Sequence, residues 1–353
     1  MTGTVGDFVL SRLREWGVAQ VFGYPGDGIN GLLAAWGRAD NHPMFVQARH
    51  EEMAAFEAVG YAKFSGRPGV CVATSGPGAI HLLNGLYDAL LDHVPVVAIV
   101  GQTNRSAMGG SYQQEVDLLS LFKDVCHNYV QMATVPEQFP NLIDRAFRVA
   151  MSQRAPTCII VPSDVQELAY EPPSHAFKMV PSSLGATWPA ISPADWAIHE
   201  AAAILNAGSK VAILVGQGAR HAAPQVVELA DRLGAGVAKA LLGKDVLSDD
   251  LPFVTGSIGL LGTRASYELM RGCDTLLTIG SSFPYTQFMP EFGQARAIQI
   301  DVDAKQIGMR YPYELNIVAD AGASLDALLP LVTRQDDRSW RDQIEAHVAH
   351  WWE

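Results

Sequence analysis

The sequence predicts an α/β fold made of two doubly wound, parallel-sheet domains. Short apolar strands alternate with amphipathic helices over most of the chain, which is typical of parallel sheets covered by helices on both faces. This alternation breaks down between residues 166 and 192, where prolines are frequent and no helical or strand period survives. A length of 353 residues is also that of about two domains.

Residues 1–165 are predicted to form the first domain. It opens with a helix over residues 5–16, because Val5, Val9, Leu13 and Trp16 share one apolar stripe and a glycine follows. Strands are then expected at residues 18–23, 44–46, 70–73, 96–100, 127–130 and 157–161, and helices at residues 29–36, from residue 51 onward, 79–91 and 138–150. A long polar loop is predicted after residue 100.

Residues 166–192 are predicted to be a linker, and residues 193–335 a second domain. Strands are expected there at residues 210–215, 237–238, 275–279 and 297–300, and helices at 222–233, 263–270 and 323–331. Residues 336–353 are predicted as a C-terminal helix, regular over residues 339–351. Because two tryptophans stand at its end with nothing after them to bury them, we expect this helix to lead to a further domain that is absent here.

The composition describes a well-cored globular protein and argues against some partners. Hydrophobic residues make up 48% and charged residues 18%, and a net charge of −12 disfavours nucleic acid or an anionic membrane. No apolar run approaches the ~20 residues that span a bilayer, and the first residues do not resemble a signal peptide. Four widely spaced cysteines without a Cys-x-x-Cys pair fit a reducing, cytoplasmic location.

Two adjacent carboxylates, Glu51 and Glu52, stand at the start of a predicted helix. A helix start favours negative charge, so both residues could be ordinary solvated carboxylates. Further on, a strand runs into Thr74-Ser75-Gly76-Pro77-Gly78 and a new helix, a layout that often binds phosphate. The turn has neither the glycine spacing of a dinucleotide fingerprint nor a Walker lysine, so a nucleotide site is weakly indicated. An ordinary tight turn is the alternative.

In combination, these motifs resemble those of the thiamine-diphosphate-dependent 2-oxo acid enzymes. The matching segments are Arg49-His50-Glu51, residues 74–78, and residues 84–86 with 92–96. The resemblance is strongest to pyruvate oxidase and the quinone-linked pyruvate dehydrogenase, with acetolactate synthase next. It extends from about residue 5 to about residue 332 and implies a pyrimidine-binding domain followed by a central domain that carries FAD.

The resemblance implies that Glu51 is the carboxylate that hydrogen-bonds the aminopyrimidine of the cofactor and so promotes proton removal from thiazolium C2. Glu52 is then its exposed neighbour. Gln114 is implied as a second residue of the active centre, carried by the loop at residues 111–115. Gln113 stands where the family has Phe, and this departure leaves the substrate open, because a polar residue there could admit a more polar acyl group than acetyl.

Further residues of the matching motifs are implied as walls of the thiamine site. They are Pro25, Gly26, Thr74, Pro77, Gly78 and Asn84. Glycines in such a turn allow the backbone to approach the cofactor rings closely. His81 and His93 are candidate proton carriers by residue type alone, and we expect both to be hydrogen-bonded structural residues.

Three segments of the second domain resemble the flavin-binding segments of pyruvate oxidase and imply bound FAD. The implied contacts are Gly259, Leu260, Leu261, Gly262, Ser281, Ser282, Phe283, Pro284, Tyr285, Asp301 and Asp320. Asp301 ends a predicted strand, where an acidic residue commonly accepts ribose hydroxyls, and Asp320 is implied near the adenine. The alternative is a domain that keeps the fold without the flavin, as in non-flavin relatives.

The family holds the cofactor's diphosphate through Mg²⁺, using a Gly-Asp-Gly motif and a later Asn-Asn pair. Gly26-Asp27-Gly28 is not assigned this role, because the chain has no Asn-Asn pair and the resemblance places this turn elsewhere. We therefore expect no metal site in this chain, and Mg²⁺ held by an absent diphosphate-binding domain. The chain alone is expected to bind no thiamine diphosphate, to be inactive, and to self-associate through its Glu51 side into a dimer or tetramer.

For the full-length parent, the resemblance implies thiamine-dependent oxidative decarboxylation of pyruvate or a related 2-oxo acid. Two other enzymes stay open, namely a carboligase like acetolactate synthase and a non-flavin 2-oxo acid decarboxylase. Outside catalysis, the chain as given could be a folded fragment that binds FAD, or nothing, and catalyses no reaction.

Overall fold

A computed structural model describes residues 3–353 and divides the chain into two compact units between Trp188 and Pro189. Each unit is built on one six-stranded sheet in which every paired strand is parallel. The predicted fold class, two parallel-sheet α/β units, is confirmed.

The first unit alternates strands and helices along the chain. Its helices are α1 (Val5–Glu15), α2 (Asn30–Arg38), α3 (Glu51–Ser65), α4 (Pro77–His81), α5 (Leu83–Leu91), α6 (Leu118–Phe122), α7 (Phe139–Gln153) and α8 (Ser163–Gln166). Its strands are β1 (Gln20–Gly23), β2 (Met44–Gln47), β3 (Gly69–Ala73), β4 (Val96–Gln102), β5 (Val130–Met132) and β6 (Pro156–Pro162). Short 3₁₀ turns cover Asp27–Ile29 and Pro136–Gln138.

The strand order of the first sheet is β2-β1-β3-β4-β6-β5. From β1 the chain adds β2 on one side and then adds β3 and β4 on the other, so the direction of growth reverses between β1 and β3. In open parallel sheets such a reversal leaves a crevice beyond the carboxyl ends of the strands, where ligands bind. The central strands β3, β4 and β6 are buried along their whole length, as expected for strands covered on both faces.

The second unit has the same general build. Its helices are α9 (Asp195–Ala207), α10 (Ala223–Leu233), α11 (Arg264–Gly272), α12 (Ala321–Leu328) and α13 (Ser339–Trp352). Its strands are β7 (Val211–Val215), β8 (Gly236–Lys239), β9 (Val254–Ser257), β10 (Thr275–Ile279), β11 (Arg296–Asp301) and β12 (Leu315–Val318). Short 3₁₀ turns cover Gln217–Ala222, Leu241–Gly243, Thr286–Phe288, Ala304–Gln306 and Leu329–Leu331.

The strand order of the second sheet is β12-β11-β10-β7-β8-β9. Two halves of three strands each grow outward from the β7–β10 pair, which is the order of dinucleotide-binding sheets. The reversal therefore lies between β7 and β10, and the loops that follow these two strands flank the crevice.

Several predicted boundaries are corrected by the structure. The strand predicted at residues 127–130 is wrong, because Cys126 and Tyr129 still donate turn hydrogen bonds to the Phe122 and Cys126 carbonyls, and β5 begins only at Val130. The helix predicted at 79–91 starts at Pro77 and divides at Leu82, whose N–H bonds to the Ala79 carbonyl.

The sequence patterns do not predict α6, α8, α9, β9 or β12. The helices α6 and α8 span about one turn each, which is too short for a 3.6-residue period to show. The strand β9 contains Gly256 with a φ of 95°, which interrupts its pattern. The strand β12 lies at the sheet edge, and its residues alternate between buried and exposed.

The C-terminal helix α13 packs onto the second unit. Trp340, Ile344 and Val348 are buried on one face, which contacts α11, and the Trp340 indole N–H donates to the Val211 carbonyl at 3.0 Å. The last two tryptophans remain largely exposed. No helix among the described residues has both the length and the apolarity needed to cross a bilayer.

Candidate active site

The loop that follows β1 and the turn that follows β3 touch at the reversal of the first sheet. The Gly28 N–H donates to Thr74 Oγ1 at 2.9 Å. A Cβ at Gly26 would lie 2.5 Å from the Thr74 Cβ, so only glycine permits this approach of the two loops. The structure thereby brings the predicted site residues Gly26 and Thr74 together, with Pro25 next to Gly26 in the chain.

Glu51 begins α3 beyond the carboxyl end of the edge strand β2 and is only 7% exposed. His50 caps this helix, because its Nδ1 accepts the Glu52 N–H at 3.3 Å. The Glu51 Oε2 lies 3.0 Å from His81 Nδ1. The side chain of Glu52 is 37% exposed and accepts a hydrogen bond from Asn84 Nδ2. The structure thus separates two carboxylates that periodicity alone could not distinguish, and it places Asn84 against Glu52.

The turn at residues 74–78 faces the Glu51 carboxylate. A Cβ at Gly78 would lie 3.1 Å from Glu51 Oε1 and 2.6 Å from Thr74 Cγ2. Gly76 has a φ of 58°, and Pro77 is the first residue of α4, where its missing N–H is not needed. The turn therefore packs directly against the Glu51 carboxylate, and we call the region that the two share the Glu51 slot.

Gln114 reaches the same turn from the long loop after β4. Its side-chain Oε1 accepts a hydrogen bond from Ser75 Oγ at 3.2 Å, and a Cβ at Gly76 would lie 2.7 Å from the Gln114 carbonyl oxygen. Gln114 also has a φ of 62°, a backbone conformation that is uncommon outside glycine. Gln113, its neighbour, is exposed.

The neighbouring carboxylate Glu115 holds the loop that carries Gln114. It accepts hydrogen bonds from the Gly109 and Tyr112 N–H groups, and these bonds lower the pKa of Glu115. A fixed loop of this kind explains how a residue outside the helices and strands can be positioned at the slot.

The hydrogen-bond partner of His81 was not predicted from the sequence. The predicted hydrogen bond is present, but its partner is the candidate catalytic carboxylate Glu51, and the His81 ring lies 4.3 Å from that of His50. The available signal was spacing, because Gly78 and His81 are three residues apart and such pairs share a helix face. His93 follows α5 instead, and its carbonyl accepts a hydrogen bond from Arg154.

In the second unit, glycines allow the loops after β7 and β10 to meet at the sheet reversal. A Cβ at Gly216 would lie 2.2 Å from the Gly280 carbonyl oxygen, and one at Gly280 would lie 2.5 Å from the Gly218 Cα. Gly280 also has a φ of 58°. Backbone therefore lies directly against backbone at this reversal, which is the place where parallel sheets of this strand order bind ligands.

Two of the predicted flavin segments, residues 259–262 and 281–285, are brought together. A Cβ at Gly259 would lie 3.2 Å from the ring of Phe283 and 3.6 Å from that of Tyr285. Phe283 is buried, and its ring meets that of Tyr285 edge-on at 5.6 Å. Leu260 and Leu261 are 68% and 82% exposed, so their side chains are open to contact from outside.

The two predicted acidic residues have different surroundings. Asp301 ends β11, and its Oδ1 accepts the Asp303 N–H at 2.9 Å. Asp320 caps α12 by accepting the Ala323 N–H at 3.0 Å, and its second oxygen lies 2.8 Å from His221 Nε2. Asp320 therefore has a structural role as the cap of α12, in addition to the predicted role near the adenine of FAD.

Comparison with known proteins assigns both units to one family. The family described as "Thiamine pyrophosphate enzyme, N-terminal TPP binding domain" matches residues 3–121, and its "central domain" matches residues 198–328. These matches cover the Glu51 slot and the glycine-lined crevice, respectively.

Individual relatives cover nearly all of this chain. It is 36% identical to "Putative thiamine pyrophosphate-containing protein YdaP" of Bacillus subtilis over 99% of its length, and 30% identical to a pyruvate oxidase of Lactiplantibacillus plantarum over 98%. It is 32% identical over 97% of its length to the large subunit of acetolactate synthase isozyme 1 of Escherichia coli. The chain spans 59%, 57% and 60% of these three relatives, respectively.

Proposed function

The chain belongs to the thiamine pyrophosphate enzyme family, and we propose that it supplies the pyrimidine-binding and flavin-binding parts of an enzyme that oxidatively decarboxylates pyruvate or a related 2-oxo acid. The observation that carries this proposal is the buried Glu51 carboxylate, which lies between His81 and the turn at residues 74–78. The similarity to a named pyruvate oxidase supports the oxidative reaction.

Thiamine diphosphate, when bound, supplies a thiazolium carbon that attacks the keto group and then takes up the electrons released with carbon dioxide. The residues of the chain then have separate tasks. Glu51 Oε1, which faces Gly78, is placed to hold a proton shared with a ring nitrogen of the aminopyrimidine, while Oε2 stays hydrogen-bonded to His81. The backbone of the turn would contact this ring with no side chain between them at Gly78, where a Cβ would lie 2.6 Å from Thr74 Cγ2.

Gln114 is proposed to contact the substrate side of the slot. Its amide nitrogen is a donor that can orient a carboxylate or a keto oxygen, and its amide oxygen is held by Ser75. Because Gln113 is exposed beside it, we propose a 2-oxo acid with a small or polar side chain. The residues that hold the diphosphate and its Mg²⁺ are proposed to lie outside residues 3–353.

A carboligase is the second candidate, since the chain is similar to acetolactate synthase to nearly the same degree. Both reactions need the Glu51 slot, so this slot does not discriminate between them. The full-length protein, given pyruvate, thiamine diphosphate, Mg²⁺ and an artificial electron acceptor, is expected to reduce the acceptor in step with release of carbon dioxide. Formation of acetolactate with no reduction of the acceptor would favour the carboligase.

FAD is proposed as the ligand of the second unit. The crevice between β7 and β10 has the dinucleotide-binding strand order, and Asp301 ends the second strand of the half that begins with β10. We expect the purified full-length protein to be yellow. Asp301→Asn should weaken FAD retention by about tenfold or more, because a neutral amide oxygen is a weaker acceptor for the ribose hydroxyls than a charged carboxylate.

The exposed Asp326 on α12 provides a matched control for this prediction. Asp326→Asn makes the same chemical change away from the strand ends and should leave FAD retention unchanged. A colourless protein that takes up no FAD on titration would contradict the flavin proposal and would favour a non-flavin decarboxylase or carboligase.

A further inference from the structure

Three side chains at the Glu51 slot bring possible metal-ligand atoms close together. His50, Glu51 and His81 each offer one ligand atom, and these atoms all lie within 4.8 Å of one another. Among residues 3–353, this is the one group of three histidine, cysteine or acidic residues with such spacing. The arrangement joins the cap of α3, its first residue and the last residue of α4.

Two imidazoles and one carboxylate form a donor set that suits Zn²⁺ and its transition-metal neighbours. Imidazole nitrogen is a good ligand for Zn²⁺, Co²⁺, Ni²⁺ and Cu²⁺, whereas Mg²⁺ and Ca²⁺ prefer sites built from oxygen alone. Sites with three protein ligands leave a further position for water. Solvent can reach this group, because the side chains of His50 and His81 are 44% and 41% exposed.

We propose that His50, Glu51 and His81 form an open binding site for a divalent transition-metal ion of the Zn²⁺ type. Because Glu51 is one of its ligands, the metal and the aminopyrimidine compete for the same carboxylate. This last consequence rests on the proposed function, whereas metal binding itself does not.

To close around an ion, the three ligand atoms must approach one another from separations of up to 4.8 Å to the spacing of a metal site. Ligand distances of about 2.0–2.2 Å place the ligand atoms of a tetrahedral Zn²⁺ site about 3.3–3.6 Å apart. The ion takes the place of the present contact between Glu51 and His81. On the other side, the hydrogen bond from the Glu52 N–H to His50 Nδ1 is long, at 3.3 Å, and is cheap to give up.

Cysteine does not offer a competing site within the described part of the chain. All four cysteines are buried, and burial raises the pKa of the Cys71 and Cys273 thiols to about 12. Burial also raises the pKa of Cys126 and Cys158 well above its usual value. Thiolate is the form that binds metal, so these four residues remain poor ligands at neutral pH.

The test is a titration of the metal-free chain with Zn²⁺ and, for a visible signal, with Co²⁺, in a buffer that contains Mg²⁺ but no thiamine diphosphate. We expect one ion to bind per chain at micromolar concentration. Bound Co²⁺ should show visible absorption bands typical of an ion with a low coordination number. His81→Gln and Glu51→Gln should each weaken binding by at least about tenfold, because each removes one ligand. His127→Gln, which changes an exposed histidine elsewhere, should leave it unchanged.

Millimolar or weaker binding, or an affinity that is the same in wild type, His81→Gln and Glu51→Gln, would overturn the proposal. Circular dichroism of each variant shows that it is folded, and the two variants act on separate helices, so loss of one through misfolding leaves the other decisive. In the full-length enzyme, Zn²⁺ inhibition that thiamine diphosphate relieves is expected, and inhibition independent of thiamine concentration would overturn the competition. Because the titration uses no thiamine, its outcome is separate from that of the proposed function.

Discussion

Glu51→Gln is expected to lower turnover of the full-length enzyme by about 10²–10⁴-fold, the usual contribution of a positioned acid–base group. Gln keeps the size and the hydrogen-bonding reach of Glu, so helix α3 and the contact with His81 should persist. It cannot exchange a proton with the ring nitrogen of the aminopyrimidine. Steady-state decarboxylation of pyruvate, measured at saturating thiamine diphosphate and Mg²⁺, tests this expectation.

Glu52→Gln is the matched control for this change. The adjacent residue carries the same charge at the same helix start, but its side chain contacts Asn84 and is partly exposed. We expect Glu52→Gln to change turnover by less than about threefold, because a partly exposed carboxylate contributes little to its surroundings. If Glu52→Gln were the damaging change and Glu51→Gln harmless, the assignment of the two carboxylates would be reversed.

Gly78→Ala is expected to reduce activity by about hundredfold, the cost that a displacement of about 1 Å can have in an active site. The added methyl group would lie 2.6 Å from Thr74 Cγ2 and 3.1 Å from Glu51 Oε1, so one of these side chains must move. Movement of Thr74 also breaks its hydrogen bond with the Gly28 N–H and disturbs both walls of the slot. The affinity for thiamine diphosphate should fall together with turnover.

Gly60→Ala provides the control, because Gly60 lies in α3 and a Cβ there would meet nothing within 4 Å. Alanine should stabilise this helix by about 0.5–1 kcal/mol, since glycine is a poor helix former, and should leave activity unchanged. Thermal unfolding measures the gain in stability separately from the activity assay. Normal activity in Gly78→Ala would show that the turn does not determine where Glu51 sits.

The fold class can be predicted from the sequence because the hydrophobic periodicity of each strand or helix is contained in its own short segment. Fully buried apolar strands such as β3, β4 and β6 and amphipathic helices such as α1 have strong signals. One-turn helices such as α6 carry no period, and the edge strand β12 has an alternating pattern over only four residues. These elements form because their neighbours in space cover them, which a local pattern does not show.

At the candidate site, too, some features can be predicted from the sequence and others depend on contacts made in the folded chain. Glu51 could be chosen over Glu52 only through a resemblance, and the structure adds the physical difference, since one carboxylate is buried beside His81 and the other lies half-exposed beside Asn84. Glu115 acts through hydrogen bonds within its own loop, which it accepts from the Gly109 and Tyr112 N–H groups. The grouping of His50 and Glu51 with His81 depends instead on contacts between two segments 30 residues apart in the chain. No spacing rule in the sequence predicts such contacts.

Hydrogen–deuterium exchange at C2 of the bound thiazolium measures whether Glu51 activates thiamine diphosphate. This exchange needs no substrate, no flavin and no electron acceptor, so it isolates the task of the carboxylate from the rest of the reaction. We expect fast exchange in the full-length wild type and in Glu52→Gln, and exchange slower by about 10²-fold or more in Glu51→Gln. Equal exchange rates in wild type and Glu51→Gln, with the cofactor bound to both, would contradict this expectation.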